Sequence, residues 1–163
     1  MKAQARAMIA KHMNKKTKTH ASSALDLSIV IPAFNEEGSI GNFLKDVVSY
    51  IDSRARLAEV IVVDDGSTDR TASEVFHIQQ KEDRIRLLSH QFNRGKGAAV
   101  KSGMLEAKGA YVAFLDADGS TPVQELDRLL LACGQGCDIA IGSRYLPESR
   151  ITVKQPWHRV ALG

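Results

Sequence analysis

The sequence predicts an α/β fold: a mostly parallel β-sheet with helices on both faces. Two observations carry this expectation. From Leu27 onward, short apolar runs of β type alternate with helical patterns, as in strands joined by crossover helices. The runs are also rich in Ile, Val and Leu, which suits strands buried on both sides.

The predicted strands, in order, are residues 27–31, 60–63, 85–88, 111–115 and 139–141. After the first strand, Ile40, Phe43, Leu44, Val47 and Ile51 fall on one helical face; before the last, Val123, Leu126, Leu129, Leu130 and Cys133 do the same. These positions read as core. The second of these helices carries a start signal, with Thr121 as N-cap, Pro122 at the first position and Gln124 completing a capping box.

At 163 residues the chain fits one domain with its own core. No apolar run approaches the roughly 18 to 20 residues that span a bilayer. Cys133 and Cys137 are too few for a disulfide framework and lack partners at zinc spacing, so both are expected to be reduced. The net charge is only +3, but Lys2, Arg6, Lys11, Lys15, Lys16 and Lys18 all precede Asp26, the first acidic residue. Residues 1–25 are therefore expected to be a basic leader, and residues 26–163 the domain. The leader lacks the apolar core and cleavage site of a secretory signal. Two readings fit it: a solvated, disordered tail, and a basic arm on anionic lipid, where each Lys or Arg contributes on the order of 1 kcal/mol. It has no Phe, Tyr or Trp to stack on bases, and nucleic acid is not an expected partner.

In open parallel sheets, ligands bind beyond the carboxyl ends of the strands. The five predicted strands are followed in turn by Asn35, Glu36 and Glu37; by Asp64, Asp65 and Asp69; by Asn93, Arg94 and Lys96; by Asp116 and Asp118; and by Ser143 and Arg144. Five polar loops on one edge of one sheet read as a site. Asp116 and Asp118 leave a strand at alternate positions and can converge on one hard cation, Mg²⁺ or Mn²⁺, with Ser120 adding a hydroxyl or water-mediated ligand. Such an ion would neutralise a diphosphate leaving group. The competing reading is a helix-entry loop whose acids favour the positive end of the next helix.

Asp64 and Asp65 are adjacent carboxylates that repel each other unless something uses them; ribose hydroxyls or a base N–H can. Helix capping is the plainer account. Asn93-Arg94-Gly95-Lys96-Gly97 opens a helix, and its glycines let the backbone approach a phosphate while Lys96 supplies charge. A simple glycine-rich turn is the alternative, and the P-loop spacing is absent. Beyond Arg144, the basic residues Arg150, Lys154, His158 and Arg159 around Trp157 suit phosphate or a membrane interface, or form a solvated face.

Taken in order, Ile31-Pro32-Ala33-Phe34-Asn35-Glu36, Val63-Asp64-Asp65-Gly66-Ser67, Arg94-Gly95-Lys96-Gly97 and Asp116-Ala117-Asp118 resemble the family-2 inverting glycosyltransferases. Gly142-Ser143-Arg144-Tyr145, with Pro147-Glu148-Ser149-Arg150 and Gln155-Pro156, is most similar to their dolichyl-phosphate or polyprenyl-phosphate glucosyltransferase branch. The resemblance implies a Rossmann-like, nucleotide-sugar-binding fold of GT-A type and a UDP-sugar donor. It implies transfer of a sugar, expected to be glucose, to a polyprenyl or dolichyl phosphate with inversion at the anomeric carbon. Pro32, Ala33 and Glu36 would lie at the nucleotide, Asp65 at the uracil or ribose, and Asp116 and Asp118 at the ribose and metal. Lys96 would lie near the donor and Arg144 near the acceptor phosphate. Such enzymes continue past the position of Gly163, so the chain is expected to be C-terminally short on the acceptor side. The expected location is the cytoplasm, including the cytoplasmic face of a membrane.

A phosphate acceptor also fits the chemistry. A phosphate monoester with a second pKa of about 6 is largely dianionic at pH 7 and needs little help from a base. No His–Asp pair is evident beside these loops, whereas an alcohol acceptor usually requires a base. Three other readings compete: a UDP-sugar-binding chain without turnover, a glycosyltransferase with a different acceptor, and a haloacid-dehalogenase-type phosphatase suggested by Asp116-x-Asp118-Gly119. The last places this loop after the first strand of its fold; here it follows the fourth predicted strand, with fewer than fifty residues left for the remaining groups.

Overall fold

Six strands form one sheet in the computed structural model, which describes residues 7–11 and 25–142. The elements run β1 (Ala7–Lys11), β2 (Leu27–Ala33), α1 (Ile40–Ser53), β3 (Ala58–Asp64), α2 (Thr71–Gln79), β4 (Ile85–Ser89), α3 (Lys96–Glu106), β5 (Tyr111–Leu115), α4 (Glu125–Gly134) and β6 (Ile139–Ile141). Their order in the sheet is β4-β3-β2-β5-β1-β6. β2 pairs in parallel with β3 and β5, and β3 with β4; β1 runs antiparallel to both β5 and β6.

Every residue of β2 and β3 is buried, as continuous apolar runs require. Period-2 alternation divides their side chains between two cores. Ile29 and Ile31 join Ile40, Leu44, Val47 and Ile51 of α1, Val75 of α2, and Leu126 and Leu130 of α4. Val30, Ile61 and Val63 face the other way, onto Ala99 and Val100 of α3. Each fully buried Ile, Leu or Val contributes about 1.5–3 kcal/mol by leaving water. α3 comes close to the sheet because it presents small residues: a Cβ on Gly103 would stand 2.3 Å from Val30 Cγ1 and 3.0 Å from Val63 Cγ2.

Register sets the rim of the sheet. Ala33 lies opposite Asp64, and Asp64 opposite Ser89, so β2, β3 and β4 end flush. On the other side of β2, Phe114 lies opposite Val30, so β5 stops lower and residues 116–118 leave it beside the last residues of β2. The chain builds outward from β2 through β3 to β4 and then crosses back to β5. The reversal leaves a crevice between the ends of β2 and β5, where such folds hold ligands.

Two expectations need correction. The leader is not wholly a tail, because Ala7–Lys11 is a strand between β5 and β6, with Ala7 and Ile9 buried. Its Ala-Met-Ile-Ala run satisfies the backbone groups that β5 would otherwise leave open on that side. The start of α4 also moves. The amides of Glu125, Leu126 and Asp127 bond the carbonyls of Pro122, Val123 and Gln124, a tight turn of i to i+3 type. The helix therefore begins at Glu125, and no side chain, Thr121 included, caps it.

Candidate active site

The crevice holds a cavity of about 310 Å³ bordered by Pro32, Ala33, Phe34, Glu36, Asp65, Asn93, Lys96, Ala99, Asp116, Ala117 and Asp118. Four of the five polar loops expected at the strand ends thus meet around one space.

The loops after β2 and β3 are stitched together. Asn35 adopts φ 55, a left-handed conformation that Asn tolerates, and its Oδ1 accepts from the Thr68 amide at 2.9 Å. The Asn35 amide donates to Ser67 Oγ at 3.0 Å, the Glu36 amide to Thr71 Oγ1 at 2.8 Å, and the Glu37 amide to Asp69 Oδ2 at 3.1 Å. Ser39 Oγ donates to Glu36 Oε2 at 2.7 Å, which fixes the carboxylate on the crevice. Burial alone would push the Asp69 carboxyl up, but bonds from Thr71 and the Glu37 amide hold it low. Asp69 thus knots the loops and does not border the cavity.

The paired acids divide their tasks. Asp64, 4% exposed, accepts from the Ser67 amide at 3.2 Å, closing the turn, and is absent from the cavity wall. The expectation that it meets a nucleotide has no geometric support, since a strand's alternation turns neighbouring side chains apart. Asp65, 2% exposed, does border the cavity. Its Oδ1 accepts from His90 Nδ1 at 2.6 Å, and its Oδ2 from the Gly95 amide at 2.7 Å. The Arg94 amide reaches both oxygens, at 3.1 and 3.2 Å. Burial by itself would raise the Asp65 carboxyl, but these hydrogen bonds outweigh it and hold it below the usual carboxylate range. Gly66 makes the approach possible: it takes φ 73, and a Cβ there would lie 2.6 Å from the Phe92 carbonyl carbon.

Lys96 is the first residue of α3, and its Nζ pairs with Asp116 Oδ1 across the crevice. The same ammonium sits 5.6 Å from the centre of the Phe114 ring. Asp118 Oδ1 accepts from the Ser120 amide at 2.9 Å, so Ser120 helps to shape the acidic loop. Among the described residues no three His, Cys, Asp or Glu side chains gather as a ready metal cage. Two carboxylates at the edge of a cavity nonetheless suit Mg²⁺, which is commonly bound by one or two carboxylates together with substrate phosphates and water. Arg144, Arg150, Lys154, Trp157, His158 and Arg159 lie outside the described residues.

Sequence reasoning passed over His90. A His–Asp pair does stand beside these loops, but His90 is 10% exposed at its side chain, and its Nε2 lies 3.0 Å from Ser102 Oγ. With both ring nitrogens engaged, it is not placed as a base for an acceptor. Its position directly after β4, at the same edge as the other polar loops, was the available signal.

The strand order and its helices define a Rossmann-like α/β protein of GT-A type, with a polar crevice at the reversal of strand order. The model of glycosyl transferase family 2 matches residues 28–159, and the chain belongs to that family. It is 36% identical over 154 residues to a dolichyl-phosphate beta-glucosyltransferase of Drosophila melanogaster, covering 86% of this chain and 47% of the relative. The corresponding human protein is 32% identical over 154 residues, with 86% of this chain and 48% of the relative covered. The chain thus spans about half the length of the curated relatives it matches. Among solved structures, a Pyrobaculum calidifontis mannosyltransferase in complex with GDP-Man and Mn²⁺ aligns with a TM-score of 0.51 and 28% identity, covering 64% of this chain and 31% of that one. S. aureus TarS in complex with UDP aligns with a TM-score of 0.50 and 26% identity, covering 58% and 28%.

Proposed function

We propose that this chain carries the donor site of a glucosyltransferase that moves glucose from UDP-glucose to the phosphate of a polyprenyl or dolichyl lipid, with inversion. The observation that carries the reading is the meeting of Glu36, Asp65, Lys96, Asp116 and Asp118 on one crevice at the reversal of strand order. Pro32, Ala33 and Phe34 give the crevice an apolar floor for a base, while the acids and Lys96 suit ribose hydroxyls, a metal and a diphosphate. The identities to dolichyl-phosphate beta-glucosyltransferases favour glucose as the sugar and a lipid phosphate as the acceptor.

Asp116 and Asp118 would hold Mg²⁺ or Mn²⁺, with Ser120 close by, and the ion would supply charge to neutralise the departing diphosphate. The solved relative with GDP-Man and Mn²⁺ supports a divalent ion. Lys96, released from Asp116, has the charge and the reach to serve the same leaving group. In an inverting transfer, an acceptor phosphate oxygen forms the new bond to the anomeric carbon from the face opposite the leaving UDP oxygen. A dianionic phosphate does this without surrendering a proton, which fits a crevice whose histidine is already committed. Arg144 would meet the acceptor phosphate. The lipid brings the reaction to a membrane surface, with the cytoplasmic face as the expected side; no described helix is long and apolar enough to cross a membrane.

Calorimetry with UDP-glucose, with and without Mg²⁺, beside a transfer assay to a polyprenyl phosphate, tests the reading. Metal-dependent binding together with transfer supports it. Binding without transfer reduces the chain to a UDP-sugar-binding unit, and no binding at all removes the donor site.

A further inference from the structure

Asp65 borders the crevice, yet its carboxylate is committed inside the protein. An ionised carboxylate only accepts hydrogen bonds, so the 2.6 Å contact from His90 requires the proton on Nδ1. On the far side of the ring, Nε2 meets Ser102 Oγ of α3 at 3.0 Å. Asp65 in turn gathers the Arg94 and Gly95 amides, the last two backbone donors before Lys96. The path from His90 to the crevice is therefore continuous, through Asp65 and the Arg94–Gly95 turn to the ammonium on Asp116.

We propose that His90 is a positioning residue of the donor site: its Nδ1–H holds the Asp65 carboxylate so that the Arg94 and Gly95 amides, and with them Lys96, are set at the crevice. This rests on the crevice being the donor site. The ring is nearly buried, and Asp65 beside it is 3% exposed at its side chain, so water does not readily replace a lost donor. Without that donor, Asp65 keeps its charge but loses a charge-assisted bond that orients it, and the turn loosens.

Two isosteric halves of the ring separate positioning from space filling. The side-chain amide of an asparagine reaches about as far as Nδ1, and that of a glutamine about as far as Nε2. His90→Asn therefore keeps the donor to Asp65, whereas His90→Gln keeps the contact with Ser102 and fills more of the volume. Amide exchange of Arg94 and Gly95, followed by NMR without ligand, reads the turn; calorimetric Kd for UDP-glucose reads the site. The expected ranking has His90→Asn within about twofold of wild type in both. His90→Gln and His90→Leu should exchange about tenfold faster at the two amides and bind UDP-glucose at least about fivefold more weakly. Ser102→Ala, which leaves the Asp65 contact in place, should resemble wild type. The opposite order, with glutamine better than asparagine, or equal loss in all the His90 variants, overturns the proposal. If wild type binds no UDP-glucose, the donor-site reading fails while the exchange ranking still decides whether His90 holds the turn.

Discussion

Lys96 Nζ and Asp116 Oδ1 form an ion pair that spans the crevice, joining the start of α3 to the residue that follows β5. In this arrangement the protein supplies its own cation to the acidic loop. A divalent ion placed on Asp116 competes with that ammonium, and an arriving diphosphate gives the ammonium another partner. Lys96→Met should therefore strengthen Mn²⁺ binding in the absence of nucleotide by severalfold while weakening UDP-glucose binding in the presence of metal. Electron paramagnetic resonance of Mn²⁺ and calorimetry with UDP-glucose check the two directions separately. Equal metal affinity in the variant and the wild type would show that Lys96 does not compete.

Asp118 offers a cleaner test of the metal. Its Oδ1 accepts from the Ser120 amide, a bond that an asparagine oxygen can also accept, so Asp118→Asn removes charge and keeps the turn. Thermal unfolding should change little, and UDP-glucose affinity in Mg²⁺ should fall to its metal-free level. Metal-dependent binding that survives this change rules Asp118 out as a ligand.

Most of the fold was legible because its central strands, β2 and β3, are continuous apolar runs buried on both faces. Strands such as 111–115 and 139–141 are bounded as expected, and the expected core faces of α1 and α4 are buried. The crevice was legible through its acids, since Glu36, Asp65, Asp116 and Asp118 follow apolar runs that end on one edge. What escaped notice depends on pairing across long sequence separations. His90 acquires meaning only from Asp65, twenty-five residues earlier, and from Ser102 on α3. β1 is a five-residue stretch in a basic context, and nothing local in it announces a place between β5 and β6. Asp64 and Asp65 look alike in sequence, and only the end of β3 assigns one to a turn and the other to the crevice.

Stability at high pH should report on Tyr50. Burial first, and then the hydrogen bond to Asp127 at 2.9 Å, push its phenol up to about 12 from an ordinary value of 10.0. The folded state holds the proton more tightly than the unfolded chain, so this contribution is complete below pH 10 and is lost as pH rises through about 12. Tyr50→Phe should lower stability by about 1 kcal/mol at neutral pH and flatten the decline between those limits. Urea denaturation at a series of alkaline pH values measures both; an unchanged slope between pH 10 and 12 contradicts the assignment to Tyr50.

Gly103 tests how α3 is held. Alanine is favoured over glycine inside a helix by about 1 kcal/mol, so propensity alone predicts that Gly103→Ala stabilises the protein. Packing predicts the reverse. The new Cβ would stand 2.3 Å from Val30 Cγ1 and 3.0 Å from Val63 Cγ2, both on fully buried side chains. Valine has few rotamers to retreat into, and overpacking of this kind costs about 1–3 kcal/mol. With two valines in the way, the upper end of that range applies, and the net expectation is a loss of about 2 kcal/mol in urea denaturation. The contact also predicts a specific partner. Val30→Ala opens a gap where the added methyl falls, so the double variant should be more stable than the sum of the single changes allows, by about 0.5–3 kcal/mol. Strict additivity would mean that α3 shifts as a body to admit the alanine, and Lys96, at the head of the same helix, should then lose its place on Asp116.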